Sequence, residues 1–161
     1  MPEKPRFALE GEKLLTGEKL ANYLGFSDFL KENKASKSAT TKPTSNYSGW
    51  AVRYKKRMIC HFRAYRDYWF ISFFKGVDIN QYEPFLSDEM KKFILTNIVT
   101  EPPCSGCKGN KNRVILGKHF DVVCGCHLLC FRNPEGKDLE RAKELVLITR
   151  KVVDAQGLVN P

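Results

Sequence analysis

No apolar run in the 161 residues approaches the roughly twenty that a membrane-spanning helix needs. The opening stretch, MPEKPRFALEGEK, carries charges but no apolar core of a signal peptide, so a cytoplasmic chain is expected. A phosphate-cradling glycine loop, a nucleophile elbow and a paired-carboxylate signature are all missing. The C-x2-C at Cys104 and Cys107 is not followed by the H-x3-5-H of a classical zinc finger, and no RNP-like or helix-turn-helix pattern accompanies it. No internal repeat is present. These absences point away from a known catalytic constellation and leave enzymatic activity without a candidate catalytic residue.

What is there suits a globular chain. Hydrophobic residues make up 42% and aromatics 12%, enough for a real core in one α+β domain spanning residues 1–161. The formal charge is +9, with 15 Lys/Arg against 8 Asp/Glu in residues 1–80 and 12 against 10 in residues 81–161. Much of the excess is at Arg53, Lys55, Lys56, Arg57, Arg63 and Arg66. Such a run serves either as a solvated strand edge or as a patch for phosphates, which makes a nucleic-acid-binding module through 53–66 one alternative.

Taken in order, Pro2 and Pro5 predict an extended arm or short strand over residues 1–13. Apolar residues from Leu20 to Leu30 recur at helical spacing, with Thr16 as cap and Gly25 predicted to divide the segment into two short helices. The polar run NKASKSATTKPTSNYS, residues 33–48, reads as a long mobile loop. A β-meander follows over Gly49–Tyr54, Arg57–Tyr65 and Tyr68–Phe74. Its central and last strands are apolar on both faces, which requires cover from helices or from a ligand. Ser87 with Asp88 and Glu89 opens a helix. Short strands are expected over Arg113–Leu116, His119–Val123 and His127–Arg132. A last helix should bury Leu139, Ala142, Leu145, Val146, Ile148 and Val152.

Five of the six cysteines lie between Cys104 and Cys130. Two close thiolate pairs across a loop are what a tetrahedral soft-ligand site needs, so Cys104, Cys107, Cys124 and Cys126 are the candidate ligands of a structural Zn2+. His127 and Cys130 are the substitutes. Cys130 also suits a buried thiol in the apolar run LLCF. A C-x2-C pair elsewhere exchanges disulfides, so a thiol redox role for Cys104 and Cys107 is a further alternative; the strand-then-helix setting of that chemistry is missing. Cys60 and His61 are strand neighbours and point to opposite faces, which rules them out as a nucleophile and base.

Trp50, Tyr54, His61, Arg63, Trp69 and Phe73 are the candidate walls of a ligand pocket on the meander, apolar with a few polar groups. The same aromatics also suit an ordinary core.

The run GWAVRYKKRMICHFRAYRDYWFISFFKG, then CSGC, ILGKHFDVVC, FRNP and LERAKELVLITRKVV, resembles a family of small bacterial domains of unknown function. Those domains are similar to YdhG-like and GyrI-like α+β domains, some of which bind small molecules. The resemblance covers about Tyr23 to Val153. Its most specific residues are Cys104, Cys107, Gly117, Lys118, Phe120, Cys124, Asn133 and Pro134. It implies an antiparallel sheet flanked by helices and carries no established catalytic residue. The reading is a bacterial zinc-containing domain that binds or senses an unidentified small molecule without catalysis.

Overall fold

The computed structural model describes residues 5–40, 42, 44–100 and 107–159. The architecture is α+β. Helices α1 (Arg6–Leu14) and α2 (Gly17–Glu32) precede strands β1 (Ser36–Ala39), β2 (Tyr47–Tyr54), β3 (Arg57–Tyr65) and β4 (Tyr68–Phe73). A 3-10 helix (Ile79–Phe85), α3 (Asp88–Asn97), β5 (Asn110–Ile115), β6 (Lys118–Val123), β7 (Leu129–Arg132) and α4 (Gly136–Val159) complete the chain. One sheet is antiparallel with order β1-β2-β3-β4-β7, and β5 and β6 form a separate hairpin. The chain divides into two compact units, residues 1–71 with 131–144, and residues 72–130 with 145–161.

In the first unit the meander falls where its alternating β-branched and aromatic residues place it. The β2–β3 turn is made by Lys55 and Lys56, both left-handed at φ 47° and 66°. It has the backbone of a primed hairpin turn without the Gly or Asn that usually supplies it. One sheet face is covered by the two helices. Tyr23 and Phe26 of α2 lie 5.2 Å and 5.9 Å from Phe62, Tyr23 meets Trp69 edge-on at 5.6 Å, and Phe7 of α1 meets Trp50 at 6.5 Å. Tyr23, Phe26, Phe62 and Trp69 are fully buried.

Three local expectations need correction here. Residues 1–13 are not an arm or strand where described, because α1 begins at Arg6. Pro5 sits just outside the helix, and its carbonyl accepts from Ala8 N at 2.9 Å. A proline there gives up no helical hydrogen bond, since the first-turn amides have no partners anyway. Gly25 does not split α2. It is exposed, and its helical penalty is outweighed by Tyr23, Phe26, Ser27 and Leu30 buried on one face. The 33–48 stretch is not one continuous loop. Ser36–Ala39 pairs antiparallel with Trp50–Arg53, and Arg53 donates to Ser38 Oγ at 2.9 Å. An exposed edge strand can be polar on both faces, so hydrophobic alternation gives no sign of it.

The second unit is built on helices α3 and the C-terminal part of α4 with the β5–β6 hairpin. Ser87 caps α3, accepting from Met90 N at 3.1 Å, and Met90 and Ile94 are fully buried. Asn80, in the 3-10 helix, holds the hairpin turn. Its Oδ1 accepts from Leu116 N at 2.8 Å and its Nδ2 donates to Val114 O at 3.0 Å. The expected apolar residues of α4 are buried, from Leu139 through Val152.

Candidate functional site

The hairpin decides where the cysteines meet. Asn110 pairs with Val123 at its open end, so the residues just before β5 and just after β6 come together. Cys107 and Cys124 occupy those two places. The Cys107 thiol hydrogen-bonds with the thiols of Cys126 and Cys124 and receives the N–H groups of Gly109 and Gly125. Those two amides, Gly109 first, hold the Cys107 pKa down to about 6. Cys124 moves the other way, because it is buried and its proton is shared toward Cys107. Its sulfur accepts the amides of His127, at 3.4 Å, and Cys126, and its own amide donates to Val99 O at 2.7 Å.

Cys107, Cys124 and Cys126 are therefore brought into one turn, and all are free thiols. Cys104 lies outside the described residues. Among the described residues no three His, Cys, Asp or Glu side chains converge on one metal position. His127 is buried and contributes its backbone amide to the turn. Cys130 is half-buried on β7, on the face opposite the buried Leu129 and Phe131. Cys60 is a core thiol whose pKa is pushed up by complete burial.

The residues expected to wall a meander pocket are mostly core. Trp50, Tyr54, His61, Trp69 and Phe73 are all below 9% exposed. Trp50 and Trp69 are packed against Phe7, Tyr23 and Phe26. Trp69 also borders an opening of about 400 Å3 with Lys19, Asn22 and Asn133. Arg63 is half-buried with its guanidinium 5.8 Å over Phe70, on the sheet face where Tyr65 stacks on Tyr68 at 4.9 Å. The basic run is spread by the fold. Lys55 and Lys56 turn at one end of β3 and Arg66 at the other, with the nine-residue strand between them, about 30 Å at strand rise.

A site that the sequence did not suggest lies in the second unit. A half-open cavity of about 290 Å3 is bordered by the cysteine turn at Cys124 and Gly125 and by the segment from Phe74 to Ile79. Its walls are held from several sides. Asn80 clamps the hairpin, and Val99 donates to Leu128 O at 2.9 Å. The Asn110 carboxamide lies over Gly125, 3.5 Å from where a Cβ would stand. The polar wall residues Asp78, Asn110 and Arg113 carried no motif, and the cavity joins two stretches, 74–79 and 110–128, that are separate in sequence.

No protein-family model, no curated protein and no solved structure matches the chain. Among the described residues no helix is long and apolar enough to cross a membrane.

Proposed function

We propose that the chain is a non-enzymatic domain that binds or senses a small molecule, with a structural zinc ion closing its cysteine turn. The observation that carries the binding reading is the cavity of about 290 Å3 walled by that turn. It is concave, with a wall that mixes apolar side chains with a few polar and charged ones, a form that small-ligand sites take. Its size suits a small metabolite rather than a dinucleotide or a drug-sized compound. The walls are clamped by backbone and Asn80 hydrogen bonds, so little ordering cost falls on the ligand.

Zinc is supported by the chemistry of the turn. Amides of Gly109, Gly125, Cys126 and His127 are aimed at the sulfurs of Cys107 and Cys124. Such donors favour thiolate, the form that ligates metal. Cys107, Cys124 and Cys126 supply three ligands, and the C-x2-C spacing makes Cys104 the fourth. Cys126 is preferred to His127 and Cys130 because its thiol already meets Cys107. Four protein ligands leave no open position for water, which fits a structural rather than a catalytic ion.

Methyl NMR on the intact protein tests the binding reading. A panel of small apolar compounds with polar heads should shift Val123 and Leu128 methyls saturably. If no compound moves them, the cavity is not a binding site. A second reading, thiol exchange, is favoured by the acidified Cys107. Reduction of insulin disulfides by the purified protein would establish it, and inactivity would remove it.

A further inference from the structure

The cavity carries information about its ligand's charge. Arg113 and Asp78, of opposite sign, both border it. The Arg113 guanidinium makes no hydrogen bond or ion pair among the described residues. Asp78 spends one oxygen, Oδ1, on Asn80 N at 3.0 Å and keeps the other available. Beside them the wall has an uncharged carboxamide, Asn110, and an apolar part in which Phe74, Ile79 and Leu128 are all below 9% exposed.

We infer that the cavity takes a small zwitterion with an apolar body, an apolar α-amino acid in chemical class. This rests on the binding reading above and narrows it. The carboxylate pairs with Arg113, where a guanidinium offers two parallel donors. The ammonium pairs with the open oxygen of Asp78, and the side chain lies on Phe74, Ile79 and Leu128. A carboxylate lacking the amine would face Asp78 uncompensated. An amine lacking the carboxylate would face Arg113 in the same way. Only a ligand with both charges matches the wall, because each unpaired charge enclosed by binding costs affinity. A volume of about 290 Å3 is also matched to one amino acid rather than a peptide.

The test is calorimetric titration of the intact protein with L-leucine, isocaproate, isoamylamine and isoamyl alcohol, read alongside the methyl spectra of Val123 and Leu128. L-leucine should bind and move these methyls. Isocaproate and isoamylamine should each bind about tenfold or more weaker, as expected for loss of one charged hydrogen bond. Arg113→Met and Asp78→Asn should each weaken L-leucine by about tenfold, while Asp78→Asn keeps an oxygen for the Asn80 amide. Equal binding of isocaproate and L-leucine overturns the zwitterion. Methyl shifts with isoamyl alcohol but none with L-leucine, phenylalanine or valine overturn the ligand class and leave the cavity a binding site. No shifts with any probe overturn both.

Discussion

Asn133 and Trp69 exchange two hydrogen bonds: Asn133 N donates to Trp69 O at 2.7 Å, and Trp69 N donates to Asn133 Oδ1 at 2.9 Å. Asn133 is left-handed at φ 45°, a conformation that asparagine tolerates better than most residues. It thus ends β7 and holds the start of β4 with one side chain. Asn133→Ala leaves the Trp69 amide without its acceptor and puts alanine at positive φ. The expected loss is about 1–3 kcal/mol in urea unfolding. Asn133→Asp retains an acceptor and should lose distinctly less. Equal losses would show that the oxygen is not what matters.

Two glycines should respond with opposite signs. A Cβ at Gly11 would stand 2.5 Å from the Tyr23 ring, so Gly11→Ala must push α1 away from the core. About 1–3 kcal/mol of destabilisation is expected for such overpacking. At Gly25 a Cβ meets nothing within 4 Å. Gly25→Ala should therefore stabilise α2 by about 0.5–1 kcal/mol through reduced backbone entropy in the unfolded chain. Thermal unfolding of the two variants checks both signs.

That contrast bears on what sequence reading can reach. The meander, the Ser87 cap and the buried face of α4 were legible because their residues carry the local signal that causes the structure, whether period-two alternation, an N-cap or helical spacing. Helix α1 was not, because Pro5 forbids a helix only within it and is harmless one residue before it. Gly25 misled for a similar reason, since tertiary burial of Tyr23 and Phe26 overrides a modest local penalty. The cysteine spacing announced a cluster, and the hairpin delivers Cys107, Cys124 and Cys126 to one turn. The cavity beside it was out of reach. It needs Ile79 set against Leu128, and a left-handed Asn112 at φ 51° where β5 is irregular, so alternation does not say which way Arg113 faces.

Lys37 gives a pH signature. Its ammonium donates to Ser27 O and Oγ, both at 2.9 Å, and lies 4.3 Å over the Phe7 ring. Burial lowers its pKa from 10.5 to about 8. Below about pH 8 both folded and unfolded chains carry the charge, and the burial cost is full. Between about 8 and 10.5 the unfolded chain holds the proton and the folded one does not, so this group makes stability rise with pH. Removing it by Lys37→Met should therefore help most at low pH. The melting temperature of Lys37→Met minus that of the wild type should fall across this window. Tyr23, whose pKa is raised by burial, titrates in both proteins and cancels. A difference that stays constant would contradict the shift.

The central claim is that the cysteine turn is a zinc centre framing the cavity, and native mass spectrometry of protein purified without added metal tests it most directly. The account predicts one zinc per chain, lost in Cys107→Ser and in Cys124→Ser, with a chelator lowering the melting temperature of the wild type. Metal-free protein of undiminished stability, or a disulfide between Cys107 and Cys124, would contradict it.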